Sequence, residues 1–291
     1  MALSLAVLRN GKPTQTIGAD ALYQTASLGK HFTAALSLLL GFDLDEPVAP
    51  HLPELPRTWD GLSLRRLLSH TAGIPAEGYE SLDLERDYTD AEILSSIGQG
   101  GALEFPPGER WRYSNAGYVL AGIAIGRRTG RFYGDLLSEL IFRPLGMTTA
   151  HVNGPDAPLG YVFEDNRYLP ADYVSPTLNR LADGAITLSV LDLARWDEAL
   201  RGPWGAQVAE MFQETRLRNG EPTGYGLGWS LNQSDRGRVA EHNGSWQGFS
   251  TGMVRYLDTG VTAIALANLA DVDAIGLARA LAGAASGQPS T

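Results

Sequence analysis

The chain has 291 residues, with 33 acidic and 23 basic side chains, which give a formal net charge of −10. It contains no cysteine, which excludes disulfides, a cysteine nucleophile, iron–sulfur clusters and thiolate zinc sites. The negative charge would repel a phosphate backbone, so we expect no nucleic-acid partner. With 44% hydrophobic residues, the sequence predicts an ordinary globular protein, built as one large domain or two merged ones.

Lysine is rare in this sequence, since only Lys12 and Lys30 occur among the 23 basic residues. Arginine does not give up its proton in proteins, so a lysine that survives this bias suggests a role that requires deprotonation. Lys12 follows Asn10-Gly11, which predicts the tip of a β-hairpin and explains that lysine. Lys30 has no such local explanation.

The first third of the chain begins with a predicted strand. Met1 to Leu8 is too short for a signal peptide and leads into the Asn10-Gly11 turn. We therefore expect a cytoplasmic protein, or a periplasmic or secreted one if a leader has been removed. Ser27 to Leu40 has apolar residues at helical spacing and predicts a buried helix. No segment approaches the ~20 apolar residues of a membrane span, so none is expected.

The rest of the chain separates into a mostly helical middle and a strand-rich end. The patterns predict helices at Tyr118 to Arg128, Phe132 to Phe142, Leu191 to Arg201 and Ala274 to Ala284, and strands at Tyr225 to Leu231, Phe249 to Leu257 and Val261 to Leu269. We expect the terminal strands to share one antiparallel sheet flanked by helices. This arrangement gives one domain over 1–291, with a sheet lobe from about 1–41 and 181–291 and a helical lobe at about 42–180. A cleft is expected at the seam.

The first chemical motif is Ser27-Leu28-Gly29-Lys30, at the start of the predicted first helix. Residues i and i+3 share a helix face, so the hydroxyl and the amine should lie one turn apart. A serine becomes a nucleophile when a neighbour removes its proton, and a desolvated lysine can do so without histidine. A serine at the helix N-cap beside a solvated lysine has the same spacing, so the motif alone leaves both interpretations open.

The second motif is Tyr113-Ser114-Asn115, on a loop before a predicted helix. A phenol near a cation could shuttle protons, and the neighbouring amide could face the same cavity. Alternatively, Tyr113 packs and Asn115 caps the helix.

The third motif is His242-Asn243-Gly244-Ser245, before a predicted strand. Gly244 would let a substrate lie against the strand edge, and the backbone N–H groups of Ser27 and Ser245 could form an oxyanion hole. Alternatively, His242 is an ordinary structural histidine.

In this order the three motifs resemble the serine β-lactamase and penicillin-binding-protein superfamily, especially its branch of class C β-lactamases, D-alanyl-D-alanine carboxypeptidases and family VIII carboxylesterases. The resemblance extends from about Thr25 to Ala270 and includes four connecting segments: Leu67 to Pro75, Phe105 to Gly108, Pro144 to Met147, and Tyr225 to Trp229. It implies an α/β (α+β) fold of the β-lactamase/transpeptidase type, with an antiparallel sheet, flanking helices and a mostly helical lobe.

The resemblance also implies roles for the motif residues. Ser27 would be the acylated nucleophile, Lys30 its proton acceptor, and Tyr113 the general base that later protonates the leaving group. Asn115 would hold Lys30 and the substrate amide, while His242 stands where many relatives have lysine. His70 belongs to a family motif and is expected to pack rather than catalyse. No cofactor and no metal are expected.

These roles imply a serine hydrolase that forms an acyl-enzyme with a small-molecule ester, amide or peptide. Histidine has an ordinary pKa near 6.5, so anchoring of a substrate carboxylate by His242 should weaken as the pH rises. This favours an esterase or peptidase over an efficient β-lactamase. The alternatives are penicillin binding or β-lactamase activity proper, and a non-catalytic ligand-binding protein of the same fold. The sequence does not indicate the oligomeric state.

A separate motif matches the pattern of another hydrolase class. Gly248-Phe249-Ser250-Thr251-Gly252 matches the nucleophile elbow of α/β-hydrolases, which place the catalytic histidine after the serine. All five histidines precede Ser250, so we expect Ser250 to be structural.

Overall fold

Strands from the two ends of the chain form one antiparallel sheet. The computed structural model describes residues 1–152, 158–202 and 204–287. Its strands are β1 (Leu3–Arg9), β2 (Lys12–Ile17), β3 (Leu22–Gln24), β4 (His151–Val152), β5 (Tyr161–Glu164), β6 (Arg167–Pro170), β7 (Ile186–Ser189), β8 (Ser230–Ser234), β9 (Gly237–Trp246), β10 (Phe249–Tyr256) and β11 (Val261–Ala267). The main sheet has the order β2-β1-β11-β10-β9-β8, while β3, β7 and β4 form a smaller sheet and β5 and β6 a separate hairpin.

Helices cover both faces of the main sheet and fill the middle of the chain. They are α1 (Gly29–Leu39), α2 (Leu64–Leu68), α3 (Glu77–Glu80), α4 (Asp90–Ile97), α5 (Asn115–Thr129), α6 (Tyr133–Leu137), α7 (Val190–Arg201) and α8 (Ala274–Ser286). None of these helices, in the part of the chain that the structure describes, has the length and apolarity needed to cross a bilayer.

Strand β11 lies at the centre of the sheet and is buried on both faces. Successive residues of a strand point to opposite faces, so each face of β11 meets a different layer. Val261, Ala263 and Ala265 pack with the alanines of α8, whereas Ile264 and Leu266 join the larger core that contains α1 and α7. The sheet therefore separates α8 from α1 and α7, which pack against its opposite face.

Helix α1 is buried over Gly29–Ser37, because its apolar residues face neighbours on several sides. Phe32 stacks on Trp196 of α7, with ring centroids 4.6 Å apart. The same burial takes Lys30 and His31 out of solvent. Two ionisable side chains at the start of this helix therefore lie inside the protein.

The predicted hairpin at the N-terminus, the shared sheet and the helices near 29–40, 115–129, 190–201 and 274–286 are confirmed, with ends shifted by a few residues. The expected single helix from Phe132 to Phe142 is instead α6 followed by a π-helical turn at Ser138–Phe142. Ser250 donates a hydrogen bond to the Val272 carbonyl at 2.5 Å, a contact that a structural serine makes.

Two predictions about the last strands were wrong. The strand expected from Tyr225 to Leu231 begins only at Ser230. Gly228 has φ of +78°, and a Cβ there would lie 2.9 Å from the Lys30 carbonyl oxygen, so this segment turns tightly against α1. Conversely, the segment around His242 belongs to the ten-residue strand β9. Its polar and glycine residues are typical of a loop, but this segment is a strand because it pairs with β10.

Candidate active site

Ser27 lies in a 3-10 turn, Ala26–Leu28, that leads into α1. Ala26 has φ of +48°, a left-handed conformation that raises the energy of a non-glycine residue by roughly 1 kcal/mol. Strand β9 touches this turn at Gly244, where an added Cβ would lie 2.5 Å from the Thr25 carbonyl oxygen and 2.9 Å from the Ser27 nitrogen. Glycine at position 244 therefore lets the strand backbone approach the turn that carries Ser27.

The amine of Lys30 is fully buried and makes three polar contacts. Its Nζ lies 3.0 Å from Ser27 Oγ, 2.8 Å from Asn115 Oδ1 and 2.7 Å from the backbone oxygen of Asp183. The last two partners are carbonyl oxygens, which only accept hydrogen bonds. They can satisfy both N–H groups of a neutral amine, whose remaining lone pair would then face Ser27 Oγ. The geometry is therefore suited to remove the proton from Ser27.

Asn115 is the first residue of α5, and its side chain is free to reach Lys30 because another residue caps the helix. Ser114 is the N-cap, and its Oγ accepts a hydrogen bond from the Gly117 N–H at 3.1 Å. Asn115 therefore does not cap the helix. Helix capping was the alternative to a role beside Lys30. The start of α5 instead fixes its amide next to the buried amine.

Tyr113 lies beside this amine on the preceding loop. Lys30 Nζ is 5.1 Å from the centroid of its ring, and the side chain remains 37% exposed. A ligand in the cleft can therefore meet the phenol, while the cation lies over the ring face.

His70 holds the loop that carries Tyr113. Its Nδ1 accepts a hydrogen bond from the Ser114 N–H at 3.1 Å, its backbone oxygen accepts one from the Arg112 N–H at 2.9 Å, and its ring lies 4.3 Å from that of Tyr113. The residue has φ of +60°. The expected packing role is thus combined with hydrogen bonds that position the loop.

His242 has a different character from the one expected. Its Nδ1 lies 2.6 Å from the Asn243 carbonyl oxygen, and its Nε2 lies 3.0 Å from the hydroxyl of Tyr225. The carbonyl can only accept, so Nδ1 carries the proton and Nε2 accepts from the tyrosine. Burial, followed by the nearby Lys30 charge, lowers the pKa of His242 to about 4. The expectation of titration near pH 6.5 was wrong, because the folded protein keeps this imidazole neutral and fully bonded.

The backbone of β9 offers an open edge next to Ser27. Strand β8 pairs with β9 only as far as Glu241, so among the described residues no strand pairs with the later part of β9 on that side. Trp246 and Phe249 flank a tight hairpin turn and pair with each other. Backbone N–H groups alternate sides along a strand, so that of Ser245 points to the open edge. The amides of Ser27 and Ser245 are therefore candidates for an oxyanion hole.

The cleft has residues that the sequence did not single out. A small hollow at Ser27 is lined by Tyr79, Asn115, Asn179, Asp183 and Trp246. It adjoins a larger hollow of about 290 Å³ with a mainly apolar wall that includes Leu82, Leu84, Tyr113 and Leu178. Asp183 and Tyr79 lie outside any of the three motifs, so no sequence signal pointed to them. Trp246 follows the third motif directly, and that adjacency could have suggested it.

Comparison with known proteins places this fold in a family. The family model described as Beta-lactamase matches residues 2–286, and the chain belongs to this family. Over 279 residues it is 33% identical to Penicillin-binding protein 4* of Bacillus subtilis, with 86% of this chain and 61% of that protein covered. The chain thus spans about three fifths of that curated relative. The family resemblance and the fold class predicted from the sequence are confirmed.

Solved structures show the same fold. D-amino acid amidase from Ochrobactrum anthropi SV3, complexed with L-phenylalanine, is similar with a TM-score of 0.78 and 26% identity, over 98% of this chain and 91% of that one. D-stereospecific amidohydrolase from a Streptomyces species is similar with a TM-score of 0.78 and 24% identity, over 99% and 94% of the two chains. The second comparison supports the fold alone.

Proposed function

We propose that this protein is a serine hydrolase that acts through an acyl-enzyme on small esters, amides or peptides. The observation that carries the proposal is the position of Lys30 Nζ, which lies 3.0 Å from Ser27 Oγ and has two carbonyl oxygens as its other partners. A buried amine held in this way can take the proton of the hydroxyl as the nucleophile attacks.

In the proposed reaction, Ser27 Oγ forms a bond to the substrate carbonyl carbon while its proton moves to Lys30. The amides of Ser27 and Ser245 stabilise the oxyanion of the tetrahedral intermediate. The bond to the leaving group then breaks, Tyr113 supplies the proton that the leaving group takes up, and the proton held by Lys30 restores the Tyr113 phenol. In the second half of the reaction, water attacks the acyl-enzyme and gives a proton to Lys30. That proton returns to Ser27 Oγ as the acyl bond breaks and the acid is released. Asn115 keeps the amine aligned throughout.

The charges of the cleft favour neutral or cationic substrates over anionic ones. Neither hollow at the site has lysine, arginine or histidine among its described lining residues, and His242 is neutral because burial lowers its pKa to about 4. A substrate carboxylate would therefore find no cation in these hollows besides the buried Lys30. This supports an amidase or esterase more than an efficient β-lactamase, and a structural neighbour at 26% identity bears the name D-amino acid amidase.

The test is covalent labelling combined with a substrate panel. A fluorophosphonate should modify the wild-type protein once by intact mass, and the Ser27→Ala variant should remain unmodified and lose at least ~10³-fold in kcat. Relative kcat/KM for p-nitrophenyl butyrate, nitrocefin and a D-Ala-D-Ala peptide then identifies the preferred class.

The outcomes separate the proposal from its rivals. Fast turnover of nitrocefin would favour β-lactamase activity, and labelling without turnover would favour a binding protein. Absence of labelling, or a Ser27→Ala variant as active as the wild type, would remove Ser27 as the nucleophile.

A further inference from the structure

The cleft contains a carboxylate that the proposed reaction does not use. The backbone oxygen of Asp183 accepts a hydrogen bond from Lys30 Nζ at 2.7 Å, and its side chain lines the same hollow as Ser27. Tyr79 donates its hydroxyl to Asp183 Oδ2 at 3.0 Å. Apart from its own backbone N–H, the carboxylate has no other partner among the described residues, so Oδ1 is available to a ligand.

No cation neutralises this carboxylate by direct contact. None of the ion pairs within the described ranges includes Asp183. Lys30 is close, but its three contacts go to neutral oxygen atoms. Burial raises the pKa of Asp183, and the Lys30 charge and the Tyr79 hydrogen bond only partly oppose this effect. A partly buried carboxylate without an ion pair is stabilised when a cation binds it.

The surface beside the hollow is negatively charged, like the Asp183 carboxylate. Helix α3 and the segment after it are rich in acidic residues, namely Glu77, Glu80, Asp83, Glu85 and Asp87. Arg86, which lies among them, forms an ion pair with Glu92. Such a field concentrates cations at the cleft and repels anions. It adds to the direct contact that Asp183 offers.

We propose that Asp183 binds the ammonium group of an aminoacyl substrate and so selects amides, esters or peptides that have a free amine next to the scissile carbonyl. This inference rests on the proposed function. Ser27 and Asp183 line the same small hollow, so a carbonyl at Ser27 places an amine on its neighbouring carbon within that hollow, where the Asp183 side chain can bind it. The adjoining apolar hollow of about 290 Å³ would accept the side chain of the aminoacyl group.

The test is a ratio that depends on the substrate amine. We would measure kcat/KM for phenylalanine p-nitroanilide and for its N-acetyl derivative, with the D and L forms of each. The wild type should prefer the free amine by at least ~10-fold in the better-accepted enantiomer, which corresponds to about 1.4 kcal/mol. In Asp183→Asn, which keeps the size and an acceptor for Tyr79, this ratio should fall to about 1.

A matched control separates direct contact from the general field. Glu77→Gln removes one negative charge from the exposed start of α3 and should leave the ratio within ~2-fold of the wild type. If this variant lowers the ratio as much as Asp183→Asn, the assignment to Asp183 is overturned. The same conclusion follows if Asp183→Asn keeps the wild-type ratio while kcat falls and acyl-enzyme accumulates, since the carboxylate would then act on the attacking water.

Slow turnover does not prevent the test. If neither anilide is hydrolysed, phenylalaninamide and N-acetylphenylalaninamide can compete with the fluorophosphonate for Ser27, and only the free amine should protect wild-type protein. Equal protection, or none by either amide, contradicts the role of Asp183. Failure of the proposed function is a different result, because the fluorophosphonate would then leave Ser27 unmodified.

Discussion

Among the described residues, the protein buries two basic side chains in adjacent parts of its core, and it surrounds them differently. Arg255 is 2% exposed, and its Nε lies 2.6 Å from Asp197 Oδ1. The same carboxylate accepts hydrogen bonds from Arg201 Nε at 3.0 Å and from Thr262 at 2.8 Å. Lys30 is equally buried, but every one of its hydrogen-bond partners is a neutral oxygen.

The difference shows what each cluster is suited to do. A guanidinium that is bonded to a carboxylate keeps its charge and fixes α7 against the sheet. An amine that is surrounded by neutral acceptors can lose or gain a proton without breaking an ion pair. Trp229 lies between the clusters, because it stacks on His31 at 3.5 Å and lies 5.7 Å from the Arg255 guanidinium. One interior thus holds a structural arginine and a lysine whose surroundings are suited to proton transfer.

The largest effect is expected when Lys30 is replaced by a residue that cannot lose its positive charge. Lys30→Arg keeps the charge but removes the ability to accept a proton, so kcat/KM should fall by at least ~10³-fold. The comparison should use the best substrate of the panel, together with the rate of fluorophosphonate labelling. Circular dichroism and thermal unfolding serve as controls for the folded state. Retained activity in a folded Lys30→Arg variant would show that a neutral amine is not required.

The second prediction removes the charge that holds Arg255. Asp197→Asn leaves two arginines facing a neutral amide, so the free energy of unfolding should fall by about 3–5 kcal/mol. Urea denaturation measures this change, and kcat per folded molecule should stay within ~2-fold, since Asp197 does not line the cleft. Asp258→Asn, which breaks the exposed pair with Arg238, is the control and should change stability much less. A large loss of kcat in folded Asp197→Asn would mean that the two clusters are coupled.

The third prediction concerns the support of Tyr113. His70→Leu removes the acceptor for the Ser114 N–H and places a branched residue at φ of +60°, so kcat should fall by roughly 10-fold with a smaller change in KM. Asn tolerates this conformation, and its side-chain oxygen can accept the same hydrogen bond. His70→Asn should therefore recover most of kcat. If both variants lose activity equally, the ring itself, rather than the hydrogen bond, supports the loop.

The motif residues could be predicted from the sequence because each set lies on one short segment with a characteristic spacing. Ser27 and Lys30 share one helical turn, and Asn115 begins a helix whose apolar pattern is clear. These are local properties. The order of the three motifs along the chain then indicated the family, and the family resemblance indicated the fold.

What the sequence did not reveal depends on contacts between distant segments. The low pKa of His242 results from its burial and from the nearby Lys30 charge, and its bond to Tyr225 joins β9 to a loop segment for which the sequence pattern predicted a strand. Asp183 lies at the cleft because the next residue, Gly184, packs closely against the turn that contains Ala26. An added Cβ at Gly184 would lie only 3.1 Å from the Ala26 carbonyl carbon. Neither fact has a periodic or spacing signal, since both arise from tertiary packing.

The smallest effect is expected at His31, a buried ionisable group beside the reactive cation. Its ring is fully buried, and neither nitrogen has a hydrogen-bond partner within the described ranges. Burial, followed by the charges of His242, Arg255 and Lys30, holds the pKa of His31 well below its ordinary value. The unfolded chain takes up a proton as the pH falls through ~6.5, whereas the folded protein does not. Stability is therefore lost as the pH falls below that value.

His31→Phe keeps the stack on Trp229 and removes this proton from the unfolded state. The loss of unfolding free energy between pH 7.5 and 6 should become smaller by roughly 1 kcal/mol than in the wild type. Urea midpoints at the two pH values measure the change. His70 and His242 are also buried with lowered pKa values, so some acid sensitivity should remain. Parallel pH profiles for the two proteins would contradict this prediction, because they would mean that His31 also takes up a proton in the folded state, next to Lys30.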